Sequence, residues 1–186
     1  MEEIKKIVEI LQAGGIILYP TDTVWGIGCD PTNEQAVQKI YDLKRRADSK
    51  AMLLLTDSMA KVQAYVTDVP DVVWDLVECA EKPLTVIYPQ GRNLATNLMA
   101  QDGSVGIRIT NEAFSKQLCV RFKKPIVSTS ANVSGQPTPA FFDEISDEIK
   151  AGVDYIVQAR QDDREKKQPS SIIKFEKNGT FAIIRE

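Results

Sequence analysis

The chain has 186 residues, 43% hydrophobic and 26% charged, enough to bury a substantial core in a single domain spanning 1–186. Its 26 acidic and 23 basic residues give a net charge of −3, so no overall electrostatic drive carries it to nucleic acid or acidic membrane, and any nucleotide or RNA site must be a local basic patch. Histidine is absent, which removes Ser-His-Asp and Cys-His catalysis, the HExxH zinc site and imidazole general bases together.

Residues 1–15 read as an acidic amphipathic helix, with Ile4, Ile7, Val8 and Leu11 at helical spacing and Gly14-Gly15 as its stop. No apolar run approaches the ~20 residues that cross a bilayer, and a cytoplasmic protein without membrane contact is expected. An apolar strand over 16–19 ends in Pro20-Thr21-Asp22-Thr23, and a second over 24–29 leads to Asp30-Pro31. Gly26-x-Gly28 lacks the third glycine of a dinucleotide fingerprint and reads as a tight strand end. Thr32 with Gln35 suggests a capping box for a helix buried through Ala36, Val37, Ile40 and Tyr41, which runs into Lys44-Arg45-Arg46.

A strand over 52–55 follows, then a helix from Pro70-Asp71 carrying Val73, Leu76, Val77 and Ala80, then strands over 84–88 and 105–109. Asn111 is placed to cap a helix that buries Phe114, Leu118 and Phe122. The next strand ends in the hydroxyl-rich run Ser128-Thr129-Ser130-Ala131-Asn132, and Phe142, Ile145 and Ile149 mark a last helix. Residues 155–157, 171–175 and 181–184 read as strands, with the polar, charged stretch 161–168 between them as a mobile loop. Helix and strand alternating with hairpin-like links predict an α/β domain with a mixed sheet.

Several motifs are set aside. There is no GxxxxGK[ST] or GxSxG, and Ser58-x-x-Lys61 lacks the SDN and KTG companions of the penicillin-binding set. Cys29, Cys79 and Cys119 fit neither a disulfide framework nor a CxxC metal site and read as ordinary buried thiols. Lys44-Arg45-Arg46, with Lys50 nearby, is the densest basic cluster, equally compatible with a solvated helix C-terminus and an anion site. Arg108, inside a strand, needs either an anionic partner or an exposed face. Thr21, Thr23, Ser170 and the 128–132 run each have a bland reading as turn or strand-capping residues, but several hydroxyl-rich strand ends beside a cationic cluster point to a ligand.

PTDTVWGIGCDP (20–31), LKRRADSKAMLLL (43–55), PLTVIYP (83–89), SVGIRIT (104–110), PIVSTSANVSG (125–135) and PSSII (169–173), in this order, resemble the YrdC family over nearly the whole chain. That resemblance implies a twisted mixed β-sheet with flanking helices and a concave basic cavity. It also implies an L-threonylcarbamoyladenylate synthase, a nucleotidyltransferase joining L-threonine, bicarbonate and ATP with release of pyrophosphate. The product would serve threonylcarbamoyladenosine modification of tRNA through downstream transfer machinery, with tRNA contact an open point. Lys44 and Arg46 correspond to the family's KxR pair and are the expected catalytic cations, Arg46 for the threonine carboxylate. Thr21, Lys50, Arg108, Ser128, Ser130, Asn132 and Ser170 are the expected substrate-binding residues, and Mg2+ is expected through the ATP phosphates. Ala47 and Glu81-Lys82-Pro83 depart from the family pattern, and the chain resembles the short type without an extra C-terminal domain. The alternatives are an RNA- or nucleotide-binding module without turnover and a paralogue acting on another carbamoyl-type substrate.

Overall fold

In the computed structural model, residues 2–45 and 52–186 are described. Among the described residues, nine strands form one mixed sheet in the order β7-β1-β2-β6-β3-β5-β4-β8-β9. They are β1 (Ile17–Tyr19), β2 (Gly26–Gly28), β3 (Leu53–Thr56), β4 (Leu84–Tyr88), β5 (Val105–Ile109), β6 (Ile126–Ser130), β7 (Tyr155–Ile156), β8 (Ser171–Phe175) and β9 (Phe181–Arg185). The β1/β7, β3/β5 and β4/β8 pairs are parallel, and the rest are antiparallel. The mixed α/β expectation therefore holds.

The α-helices among the described residues flank the sheet: α1 (Glu2–Gln12), α2 (Glu34–Lys44), α3 (Met59–Tyr65), α4 (Asp71–Glu78), α5 (Ala113–Phe122) and α6 (Asp147–Ala151). In α1, Ile4, Ile7 and Leu11 are buried and the helix packs on α5, which in turn packs on β3. Gly14 ends α1 at φ 77°, a conformation that favours glycine, with the Gly14 N–H on the Leu11 carbonyl and the Gly15 N–H on that of Ile10.

The caps differ from those expected. Asn33, not Thr32, caps α2 by accepting from the Ala36 N–H, while the Thr32 hydroxyl is drawn to the Asp30 carboxylate at 2.7 Å. Glu112, not Asn111, caps α5, its carboxylate accepting from the Phe114 and Ser115 N–H groups. Helix α3 has no counterpart in the sequence reading because, with seven residues and Val62 alone fully buried, it carries almost no periodic signal. The single helix expected from Phe142 to Ile149 is a 3-10 turn, Phe142–Glu144, followed by α6, because Ser146 starts a new helix by accepting from the Ile149 N–H. Gly26 opens the three-residue strand β2 and Gly28 ends it, as the tight strand end expected there requires. Cys29 and Cys119 are buried as expected, whereas Cys79, just past the end of α4, is exposed.

Candidate functional site

Strand ends and two loops enclose a cavity of about 640 Å3. Thr21, Thr23 and Gly26 come from the β1–β2 hairpin, Arg108 from β5, Ser128, Thr129 and Ser130 from β6, and Ser170 from the start of β8. Pairing explains the convergence: Gly26 lies opposite Ser130 and Leu53 opposite Ser128, while Ser171 lies beside Leu84. A side chain at Gly26 would enter this space, since a Cβ there would stand 3.4 Å from Ser128 Oγ and from the Thr129 carbonyl. Gly28 is glycine for a different reason: a Cβ would meet the Tyr19 ring and the Val127 carbonyl at 2.7 Å.

Arg108 is only 4% exposed, so its charge requires compensation, and Asp22 supplies it. Both Nε (3.1 Å) and Nη2 (2.9 Å) lie on Asp22 Oδ1, and Nη2 also reaches the Thr23 hydroxyl at 3.3 Å. Nη1 has no protein acceptor among the described residues, so the pair fixes a guanidinium with a donor edge to spare at the cavity floor. Burial pushes the Asp22 carboxyl above its ordinary range, against the pull of Arg108. Thr21 Oγ1 donates to the Val24 carbonyl at 2.7 Å and accepts from the Thr23 N–H, which holds the hairpin turn rigid.

The hydroxyl run divides into two parts. Ser128, Thr129 and Ser130 line the cavity, and Ser130 Oγ makes no hydrogen bond among the described residues. Asn132 does not line it: its Nδ2 donates to the Val133 (3.0 Å) and Gln136 (2.8 Å) carbonyls, the loop-bracing role weighed as the alternative to ligand contact. Lys44 is likewise absent from the lining. It is 1% exposed at the end of α2, its ammonium donating to the Ser130 carbonyl and, at 2.6 Å, to that of Asn132, while its own carbonyl accepts from the Ser134 N–H. Lys44 thus clamps the loop from behind. Arg46, Ala47 and Lys50 lie outside the described residues. Arg45, at φ 48°, ends α2 and pairs on the surface with Glu148.

Ser170 is 1% exposed and held on two sides, by the Thr85 hydroxyl at 2.9 Å and by Arg185, whose Nε donates to the Ser170 carbonyl at 2.8 Å. Arg185, Lys166 and Lys167 also line the cavity, and sequence reasoning misses all three. Arg185 ends an edge strand, and the two lysines belong to a loop with no periodic signal; alternation toward Ser170 is the available clue for Arg185 alone. Among the described residues, no Asp or Glu lines this cavity. Residues 138–140 and 166–169 form its upper walls. The first segment is anchored by Phe142 stacking on Trp25 at 4.8 Å, and the two are joined by Arg164 over the Phe141 ring at 5.7 Å and beside Asp143 at 3.3 Å. The stretch read as a loop over 161–168 therefore forms part of the site wall.

The Sua5/YciO/YrdC family model, described as "Telomere recombination", matches residues 9–186. The chain belongs to the Sua5/YciO/YrdC family. Among its family relatives, the threonylcarbamoyl-AMP synthase of Pseudoalteromonas translucida is 36% identical over 153 residues, 81% of this chain and 82% of that one. The enzyme of the same name from Photobacterium profundum is 31% identical over 168 residues, 89% of this chain and 91% of that one. The fold is that of E. coli YciO, with a TM-score of 0.83 at 24% identity over 98% of this chain and 88% of YciO. P. abyssi Sua5 complexed with L-threonine superposes with a TM-score of 0.82 at 20% identity; this match covers 92% of the chain but 50% of Sua5, so the chain spans about half that protein's length. Among the described residues, no helix is long and apolar enough to cross a membrane.

Proposed function

We propose that the chain is an L-threonylcarbamoyladenylate synthase, a nucleotidyltransferase that converts L-threonine, bicarbonate and ATP to threonylcarbamoyl-AMP and pyrophosphate. The observation that carries this reading is a cavity with cations and neutral hydroxyls on its walls and, among the described residues, no carboxylate, in a chain aligned over most of its length with relatives named for that activity.

The threonine amine and bicarbonate give a carbamate with loss of water. A carbamate oxygen then forms a bond to the α-phosphorus of ATP as the bond to the pyrophosphate oxygen breaks. The nucleophile is already anionic at that step, so displacement demands alignment and charge neutralisation rather than a histidine base. Arg108, fixed by Asp22 and offering Nη1, suits the carbamate or α-phosphate at the floor. Ser128, Ser130, Thr21 and Ser170 orient the ligand without adding charge. Lys44 contributes through the backbone it clamps, keeping Ser130 in place. Arg46 and Lys50 retain their expected roles toward the threonine carboxylate and the phosphates. Magnesium would accompany ATP through the phosphates and water, since Asp22 is committed to Arg108, Glu112 to the α5 N–H groups and Asp163 to Arg160.

Pyrophosphate release from ATP, measured with threonine and bicarbonate omitted in turn, tests the reading. Release is expected only with both present. Turnover without an amino acid would reduce the protein to an ATPase, and binding without any release would leave a nucleotide-binding module.

A further inference from the structure

Residues 160–168 bring a second set of charges to the cavity. Arg160 anchors the start of this loop, at φ 61°, with its guanidinium donating to the Thr21 carbonyl at 3.1 Å and lying 3.2 Å from Glu112 and 2.7 Å from Asp163. Pro169 and buried Ser170 anchor its end. Between these points Lys167 lines the main cavity and also an adjoining hollow of about 350 Å3, whose other lining residues are Asp22, Glu112, Arg160, Asp163 and Glu165. One side of Lys167 is therefore acidic, and the other has no carboxylate among the described residues.

Its ammonium is paired with Glu165, two residues away, whose side chain is 71% exposed while that of Lys167 is 28% exposed. An ion pair this open to water contributes little and is readily exchanged. A phosphate bearing two or more charges is the stronger partner for an ammonium donor. Depth decides which phosphate. Arg108 lies at the buried floor and Lys167 at the mouth, so the group nearest Lys167 is the one that departs.

Resting on the synthase reading above, we propose that Lys167 binds the β- and γ-phosphates of ATP that leave as pyrophosphate, and that Glu165 holds its ammonium as a stand-in anion until they arrive. No covalent step is involved. The lysine exchanges one anion for another, and the cost of breaking the Glu165 pair is subtracted from nucleotide affinity. Replacing the glutamate should then strengthen binding, an effect opposite in sign to that of replacing the lysine.

Calorimetric titration of the full chain with ATP, AMP and pyrophosphate at low ionic strength tests this. Lys167→Ala is expected to weaken ATP and pyrophosphate by about tenfold or more, the loss of one charge-assisted contact, and to leave AMP within about twofold. Lys167→Arg should restore most of the affinity, and Glu165→Gln should tighten ATP and pyrophosphate a few-fold without altering AMP. Unchanged ATP affinity in Lys167→Ala, equal weakening of ATP and AMP, or weaker binding in Glu165→Gln would each overturn the proposal. Normal threonine-dependent pyrophosphate release alongside any of those results would leave the synthase reading standing. Failure of the unaltered chain to bind any of the three ligands would remove both.

Discussion

The floor and the walls of the cavity are built by different means. On the floor, Thr21, Arg108, Ser128 and Ser170 are nearly buried; the last three are fixed by strand register or by a partner on another element, and Thr21 by hydrogen bonds within the β1–β2 turn. The upper walls depend on side chains between exposed segments, with Arg160, Arg164 and Lys167 paired to carboxylates in or beside their own loop. A floor residue cannot change without leaving a buried partner unsatisfied, whereas a wall residue can change partners at small cost. Stability and ligand affinity should therefore respond together to substitutions below and separately to those above.

The sharpest test is Arg108→Ala. It strands the Asp22 carboxylate in a site where burial already raises its pKa, so a stability loss of roughly 3 kcal/mol should accompany a fall of about 10²-fold or more in pyrophosphate release. Thermal melts and the assay on one preparation measure both. Lost activity at an unchanged Tm would break the coupling claimed for the floor.

Two glycines in one strand sharpen it further. Gly28→Ala drives a Cβ into the Tyr19 ring and should cost about 1–3 kcal/mol by overpacking. Gly26→Val meets only ordinary contacts and should stay within about 1 kcal/mol of the parent, yet its side chain occupies the cavity and should abolish ATP-dependent stabilisation. Denaturant titration with and without ATP separates the two, and identical behaviour would refute the placing of Gly26, but not Gly28, at the cavity.

Asp22 also predicts a pH dependence. Because burial raises its pKa above the unfolded value, its contribution to stability is fully present below the ordinary carboxylate range and is lost as pH rises through the raised value. The groups facing it are Arg108 and, farther off, the Glu112 carboxylate. Asp22→Asn removes this titration, so the Tm difference between variant and parent should shift in the variant's favour from about pH 4 upward. A difference independent of pH would contradict it.

On the walls, Arg160→Ala should cost no more than about 1 kcal/mol while raising the KM for ATP a few-fold, because the loop loses its hold on Thr21. Smallest of all, Arg45→Ala removes an exposed pair with Glu148 and should change stability by less than about 1 kcal/mol and activity not measurably. An activity loss at Arg45 would mean that the basic cluster is wrongly divided between surface and site.

The same contrast explains what is legible in the sequence. Strand ends rich in hydroxyls and a charged residue within an apolar strand are local patterns, so Thr21, Arg108, Ser128, Ser130 and Ser170 stand out before their partners are known. Asp22 lies in a recognisable motif, but its pairing with Arg108 spans 86 positions and leaves no periodic trace. Neither Asn132 nor Lys44 shows by residue type whether its donors turn toward a cavity or, as here, toward backbone carbonyls. The lysines at 166 and 167 look like a solvated charge run, since only the anchors at Arg160 and Ser170 turn that run inward.

The β4/β8 pairing has a consequence for synthesis on the ribosome. Thr21 emerges early, yet the cavity it lines has a wall that includes Ile172 and Arg185, and β8 enters the sheet beside a strand made long before it. A nascent chain can pair β1, β2, β3, β5 and β6 well before that wall exists. During that interval β4 has an open edge and Arg108 has its carboxylate partner, but the cavity lacks a side. Closure of the cavity therefore waits on one late event, the docking of β8 beside β4 and of β9 beside β8.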